Sequence, residues 1–396
     1  MAIRPTRCCC ICDSAAHDVV TTAVPGTVIG MLGGGQLGRY ALMSARSMGY
    51  GTIVLDPDPA APAGAVADRH LVAAFDDRAA LTEMASSCAV VTTEFENPSA
   101  EALAFLAEHV LVRPSPSAIA IAQDRIAEKR FLAADGFPVG PFAVIDTQVG
   151  DEVEHLLPGI VKTARLGYDG RGQMAVTSVD EVRTAVSTLG GVACVLERRL
   201  DLVTEISVVL ARGADGSVVL WPVGENRHVD GVLDLTVVPA SVPDDLVAAA
   251  EDIAGRIAMC LDYVGVLAVE FFVVDGDTGR ELKVNELAPR PHNSGHWTLD
   301  ASITDQFTQQ IRAVTGAALA STTMTVPAVA MANLLGDIWQ AGEPNWECVL
   351  VDGDARLHLY GKAEARPGRK MGHLCVVGST VAEVAERALR LREALS

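Results

Sequence analysis

The chain has 396 residues, enough for two or three domains with their own cores. Its 50 acidic and 31 basic side chains give a formal charge of −19, which excludes a general nucleic-acid or anionic-membrane binder. No apolar run reaches membrane-spanning length, and Asp13, His17 and Asp18 interrupt the first twenty residues, so neither a spanning helix nor a secretory signal is expected and the protein reads as soluble and cytoplasmic.

Four of the nine cysteines fall in Cys8-Cys-Cys-Ile-Cys12. Cys9 and Cys12 form a C-x-x-C, but no second ligand pair follows, which argues against zinc. Residues 1–23 are expected to be a disordered or mis-assigned extension. Cys88, Cys194, Cys260, Cys348 and Cys375 lie in apolar segments and read as small core residues.

Thr27-Val-Ile-Gly-Met-Leu32 has a buried-strand pattern and runs into Gly33-Gly-Gly-Gln-Leu-Gly38. The helix after it spaces Leu37, Tyr40, Ala41, Ala45 and Met48 on one face. Further strands are expected at Thr52–Asp56 and Val90–Thr93. Alternating strand and helix predict a doubly wound α/β domain over 24–125. Gly33, Gly35 and Gly38 satisfy G-x-G-x-x-G, with Asp56 where a ribose-binding acid would stand. A nicotinamide-dependent oxidoreductase is the alternative on this segment, although no hydride-transfer site is evident elsewhere. Thr93-Glu-Phe-Glu-Asn-Pro98 follows at a strand's carboxyl end, where such sheets bind ligands, and Ala122–Leu132 reads as a helix closed by Gly136.

Val161-Lys-Thr-Ala-Arg-Leu-Gly-Tyr-Asp-Gly-Arg-Gly-Gln173 puts Lys162 at the end of an apolar strand, within reach of a nucleotide. Gly167, Gly170 and Gly172 allow a tight loop whose amides can close over phosphates; no Gly-Lys-Ser/Thr follows, so it is not a P-loop, and a plain hairpin remains open. Cys194–Leu200 reads as a strand entering a connector before Glu205–Leu210, a hinge with an acid on either side.

Val264–Val274 is an apolar strand whose sole charge is Glu270, and Val284-Asn-Glu-Leu-Ala-Pro-Arg-Pro-His-Asn-Ser-Gly-His296 packs unusual polar chemistry beside the next one. If the hairpin between them folds symmetrically about Thr278, Glu270 opposes Glu286, with Cβ atoms roughly 5 Å apart. Two such carboxylates repel unless a cation joins them, and Mg²⁺ is held by one or two carboxylates plus substrate phosphates. An asymmetric turn would keep them apart. Farther on, Lys362-Ala-Glu-Ala-Arg-Pro-Gly-Arg-Lys370 is a basic cluster in an acidic protein, either a solvated loop or an anion site.

A lysine strand, a glycine-rich lid, Glu-x7-Glu and two acids on neighbouring strands resemble the ATP-grasp superfamily. Gly-Tyr-Asp-Gly-Arg-Gly-Gln, Asn-Glu-x-Ala-Pro-Arg-x-His-Asn-Ser-Gly-His and Tyr-Gly-Lys…Arg-Lys-Met-Gly-His resemble one family in it, the 5-(carboxyamino)imidazole ribonucleotide synthases, from about Pro25 to the C-terminal helix. The resemblance implies an α/β chain: a Rossmann-like domain, an ATP-grasp domain over 126–315 with its lid at about 145–202, and a small β-rich portion with a final helix over 316–396. It also implies Mg²⁺ and three small-molecule substrates, ATP, bicarbonate and 5-aminoimidazole ribonucleotide, and a homodimer. The sister formate-using enzyme on glycinamide ribonucleotide and a non-catalytic nucleotide binder are the alternatives; Gln36, the Arg-Pro-His-Asn-Ser-Gly-His run and the intact acids and lid favour the carboxylase.

By that resemblance Glu270 and Glu286 hold Mg²⁺, with Asn285 a weaker candidate because an ideal strand would turn it away from Glu286. Arg125, Lys162 and the lid residues Gly167, Tyr168, Asp169, Gly170, Arg171, Gly172 and Gln173 take ATP phosphates. Glu197, Arg198, Arg199, Leu200 and Glu205 form the adenosine side, and His228 is a further ATP contact. Arg290, His292 and Asn293 are the catalytic set for bicarbonate and carboxyphosphate, with His292 suited to proton transfer near neutral pH. Gln36, Leu37, Glu94, Lys362, Arg369 and Lys370 meet the ribonucleotide, joined by Tyr168, Asp169 and Arg171 from the lid.

Overall fold

The computed structural model describes residues 22–395, apart from 99, 146–148, 168–169 and 277–278. Five parallel strands form the first sheet, in the order Arg69–Leu71, Gly51–Leu55, Val28–Leu32, Val90–Thr93, Leu111–Val112. The strand order reverses at Val28–Leu32, so a crevice opens there at the carboxyl ends, beside the glycine loop. The helix Gln36–Ser47 buries Leu37, Tyr40, Ala41 and Ala45 as its spacing predicts. Ala23 is buried against the first domain, and its N–H donates to the Thr315 carbonyl. The Cys8–Cys12 tract lies outside the described residues. Cys88, Cys194 and Cys375 are buried as expected, but Cys260, near the end of a helix, is exposed and is not a core residue.

A four-stranded antiparallel sheet follows: Phe142–Ile145, Cys194–Arg198, Gly159–Thr163 and Gln173–Val176. Lys162 pairs with Gln173 in register, making the intervening glycine-rich segment the turn of a hairpin. The helix Val179–Thr188, capped by Ser178, closes a small core around Val161, Val182 and Leu196 beneath it.

The largest sheet has nine strands. It runs from Gly279–Ala288 at one edge through Gly265–Gly276, Leu202–Arg212, Gly224–Val229, Val232–Val238, Ala328–Leu335 and Lys370–Gly378 to Ala355–Leu359, with Val218–Leu220 beside Leu202–Arg212. The C-terminal strands thus continue the central sheet, joined to it where Thr236 pairs with Met331.

The hairpin Gly265–Ala288 pairs Glu270 with Glu286, though not for the expected reason. Its innermost described pair is Gly276 with Gly279, half a residue out of step with the expected symmetry, and a regular ladder would set Glu270 against Asn285. One extra residue restores the pairing: the register shifts between Glu270 and Phe271, a β-bulge at Asn285. Leu282, Val284 and Leu287 all face the same core, a spacing of two and then three. The bulge therefore puts Asn285 and Glu286 together on the cleft side, whereas the strand alternation had predicted opposite faces.

Candidate functional site

The three sheets meet around a cleft of about 810 Å³. Gln36, Leu37, Glu94, Arg125, Lys162, Gly167, Gly170, Arg171, Gly172, Gln173, Glu205, His228, Glu270, Asn285, Glu286, Arg290, His292, Asn293, Lys362, Arg369 and Lys370 all line it. Tyr168 and Asp169 lie outside the described residues. Glu197, Arg198, Arg199 and Leu200 border a neighbouring cavity of about 410 Å³ with Lys129, Lys162, Phe272 and Val284. That hollow, between the lid sheet and the central sheet, is the one the sequence assigned to adenosine.

Glu270 is buried. Burial and then the facing Glu286 push its carboxyl up to about 8. Asn285 Oδ1 beside them is buried with no hydrogen-bond partner among the described residues. Three oxygen donors with so little compensation are a donor set for a hard divalent cation, the fit the sequence suggested. Arg125 stands 3.5 Å from Glu286 at the same end of the cleft.

Lys162 reaches the cleft but is also paired, 3.1 Å from Glu197. Lys129 stands 3.2 Å from the other oxygen of the same carboxylate. Burial would raise the Glu197 pKa, yet the Lys162 and then the Lys129 charges outweigh it and hold the acid at about 2. Glu197 is thus the buried counter-ion that Lys162 and Lys129 share. Glu205, the other hinge acid, stands 3.0 Å from His228 Nδ1, and that hydrogen bond raises the His228 pKa against the effect of burial.

Arg290 is oriented by Glu96, whose carboxylate accepts its Nε–H at 2.8 Å. His292 Nδ1 accepts the Ser294 backbone N–H at 3.3 Å and lies 2.9 Å from Ser294 Oγ. The ring proton is thereby left on Nε2, 3.6 Å from Glu270. Burial, reinforced by Arg290, holds the His292 pKa well below the ordinary imidazole value, so near neutral pH it is a neutral donor rather than the titrating acid expected from sequence. Asn293 and Asn333 exchange amide hydrogen bonds of 2.7 and 3.0 Å, which commits the Asn293 side chain to its neighbour.

Glu94 lines the cleft and also holds the glycine loop. Its carboxylate accepts the backbone N–H groups of Gly35 and Gly38, the latter at 2.6 Å, at the start of the helix Gln36–Ser47. Asp56 accepts the Gly34 N–H at 2.7 Å. In a dinucleotide site those helix-terminal amides would meet a pyrophosphate. Here two carboxylates already hold the loop, and the oxidoreductase alternative loses its anion site. At the far end, Lys362 donates to the Lys370 carbonyl at 2.8 Å, which folds the basic cluster so that Arg366, Arg369 and Lys370 also reach the cleft.

Sequence reasoning missed Glu96, Arg366, Glu128 and Lys129. The last two had a readable signal. On the helix Arg125–Ala134, positions 125, 128, 129 and 132 form the i, i+3, i+4, i+7 stripe that is normally apolar, and two of its charged members are fully buried. A separate, partly buried group, Asp300, His358 and His373, has metal-ligand composition. Its two imidazoles stack at 4.5 Å and 9°, so their in-plane lone pairs run parallel and do not converge on one ion.

Comparison with known proteins covers most of the chain. Residues 27–123 match a ribonucleotide synthetase preATP-grasp domain, 130–307 an ATP-grasp domain, and 329–387 a phosphoribosylaminoimidazole carboxylase C-terminal domain. N5-carboxyaminoimidazole ribonucleotide synthase of Brucella melitensis is 43% identical over 364 residues, spanning 89% of this chain and 97% of its own. The crystal structure of an N5-carboxyaminoimidazole ribonucleotide synthetase in complex with ADP superposes with a TM-score of 0.87 at 36% identity, over 94% of this chain and 97% of that one. The Aspergillus clavatus N5-carboxyaminoimidazole synthase in complex with ADP and 5-aminoimidazole ribonucleotide gives 0.84 at 29% identity, over 93% and 98%.

Proposed function

The chain belongs to the N5-carboxyaminoimidazole ribonucleotide synthase family and is an ATP-dependent ligase that carboxylates 5-aminoimidazole ribonucleotide in purine biosynthesis; we propose that bicarbonate supplies the carboxyl group, that Mg²⁺ is the cation, and that the cleft residues divide the work between them. The observation that carries this division is the opposition of Glu270 and Glu286 beside the unpartnered Asn285 oxygen, within one cleft that also holds Arg290, His292 and the basic cluster.

Bicarbonate is a poor electrophile. One of its oxygens attacks the γ-phosphorus of ATP, the bond to the bridging oxygen breaks, and ADP leaves carboxyphosphate behind. The exocyclic amine then attacks the carboxyl carbon, phosphate departs, and the amine loses a proton to give the carbamate. Little of this is covalent work for the protein; positioning and charge neutralisation do most of it. Glu270, Glu286 and Asn285 would hold Mg²⁺, which when bound screens the phosphate charge. Lys162, Arg125 and the lid hairpin take the phosphates, and the cavity at Glu197–Leu200 takes the adenine. Arg290 presents a fork of donors to bicarbonate and carboxyphosphate, and neutral His292 donates from Nε2. Asn293 braces His292's neighbourhood through Asn333 instead of touching substrate. Lys362, Arg366, Arg369 and Lys370 receive the ribonucleotide phosphate beside Gln36 and Leu37, with Glu94 shaping the loop beneath. Closure of the lid over the cleft shields carboxyphosphate from water. A cytoplasmic homodimer completes the reading; sedimentation as a monomer at assay concentration would remove its second part.

The test is ADP release from ATP with Mg²⁺ and bicarbonate, with and without 5-aminoimidazole ribonucleotide. Strong stimulation by the ribonucleotide, abolished in Glu286→Gln, is expected. Turnover with formate and glycinamide ribonucleotide instead would move the chain to the sister activity.

A further inference from the structure

Glu128 and Lys129 are consecutive, oppositely charged and almost wholly buried on the helix Arg125–Ala134. Burying two charges costs several kcal/mol each unless the geometry repays it, so their partners matter. The helix packs against the edge strand Gly279–Ala288. An edge strand leaves its outward backbone groups without a neighbouring strand. Three of these groups are taken up around the bulge. The Val284 N–H donates to the Pro138 carbonyl, Lys129 Nζ donates to the Asn285 carbonyl at 2.9 Å, and the Leu287 N–H donates to Glu128 at 3.0 Å. The two side chains thus bracket Glu286 from the residue before it to the residue after it.

We propose that Glu128 and Lys129 are positioning residues that lock the bulge, and through it set Asn285 and Glu286 toward the cation and ATP phosphates. Lys129 extends the same control to the lid, because its second partner Glu197 is also the counter-ion of Lys162. A regular ladder would set Asn285 against Glu270 and turn Glu286 to the core side of the strand, so the donor set exists only while the bulge persists. The inference rests on reading Glu270 and Glu286 as the cation's carboxylates. It adds two residues that act on the strand backbone, through the Asn285 carbonyl and the Leu287 N–H.

The experiment uses Mn²⁺ as a spectroscopic probe, titrated into the full-length protein with saturating ADP and followed by electron paramagnetic resonance. Loss of a group that orients a metal ligand typically weakens the metal by about 10–100-fold. Glu128→Leu and Lys129→Met are each expected to fall in that range and to raise the KM for ATP more than they lower kcat. Glu128→Gln keeps an acceptor for the Leu287 N–H and is expected to bind Mn²⁺ close to wild type. Should Glu128→Leu fail to fold, Lys129→Met, which keeps the volume of the stem, carries the test. Wild-type Mn²⁺ affinity in the folded bulge variants, or a Glu128→Gln as impaired as Glu128→Leu, overturns the proposal. Glu286→Gln separates the two levels. If it too binds Mn²⁺ normally, the cation reading itself fails; if it alone is impaired, only the clamp does.

Discussion

Arg290 and Glu96 lie 194 residues apart in sequence and meet through an Nε–H to carboxylate bond of 2.8 Å. The bond ties the segment that follows the Gly265–Ala288 hairpin to the carboxyl edge of the first sheet. It also spends one face of the guanidinium on orientation, leaving the other to the cleft. Against burial, Glu96 keeps Arg290 firmly charged, and Arg290 in turn holds the Glu96 pKa below the usual carboxylate range.

Arg290→Lys should therefore be far from conservative. Lysine keeps the charge but has no planar fork, and loss of one preorganised donor to a developing oxyanion costs roughly 10²–10³ in kcat. Glu96→Gln should show a smaller loss in the same direction, since the guanidinium remains but is less firmly aimed. Steady-state ADP release with saturating ribonucleotide measures both; equal losses would mean that orientation by Glu96 matters as much as the charge itself.

The Glu270 carboxyl gives a pH signature in the absence of ligands. Its folded value of about 8 lies above the ordinary 4.5, so between those values the folded state keeps a proton that the unfolded state has lost. Stability due to this group falls as pH rises from 4.5 to about 8 and is level beyond it. Glu270→Gln removes the penalty. Its unliganded Tm should exceed wild type by roughly 2–6 °C at pH 8.5 and match it near pH 5. A Tm difference independent of pH in differential scanning calorimetry would show that the carboxylate is not the source.

Glu197 behaves in the opposite sense. Its folded value of about 2 lies below 4.5, so its contribution is complete above 4.5 and disappears as pH falls through about 2. At neutral pH Glu197→Gln leaves Lys129 and Lys162 buried without their shared counter-ion, a change that costs about 3–5 kcal/mol when a buried pair is broken. Urea denaturation at pH 7 reads this directly. A loss under about 1 kcal/mol, the scale of an exposed pair, would mean that water screens the triad.

Gly35→Ala tests the glycine loop. A Cβ there would stand 2.5 Å from Glu94 Oε1, so the carboxylate must leave the helix amides it now caps. Losing such a cap costs about 1–2 kcal/mol, and the displaced acid would intrude beside Gln36 and Leu37. The KM for the ribonucleotide should rise while ATP binding, on the other side of the cleft, stays near wild type. A rise in both would place the loop closer to the nucleotide than the geometry has it.

Much of this architecture is legible from local pattern. Continuous apolar strands alternating with helices give the first sheet, and Glu270 alone in an apolar strand announces a partner. What pattern cannot carry is a change of phase. Symmetry about Thr278 predicts the right pair, Glu270 with Glu286, only because two departures offset each other, a ladder half a residue out of step and one residue inserted at Asn285. Nor does spacing show what a side chain does once its neighbours arrive. Glu94 reads as an acid at a strand end in either role, and only the approach of Gly35 and Gly38 decides that it caps a helix. Lys129 was hidden by habit, since charged residues on a helix are normally solvated; its place in the apolar stripe was the clue.

The bulge has an implication for how such a strand can change over generations. Removing Asn285 would leave Val284 opposite Phe271 and Glu286 opposite Glu270, the pairs they already make, with Leu287 still facing the core. The extra residue is thus additive: it brings one amide to the cleft and disturbs none of the contacts on either side. A chain can acquire a polar group at a reaction centre by lengthening one strand by a single codon, with no need to trade away a residue already serving the fold.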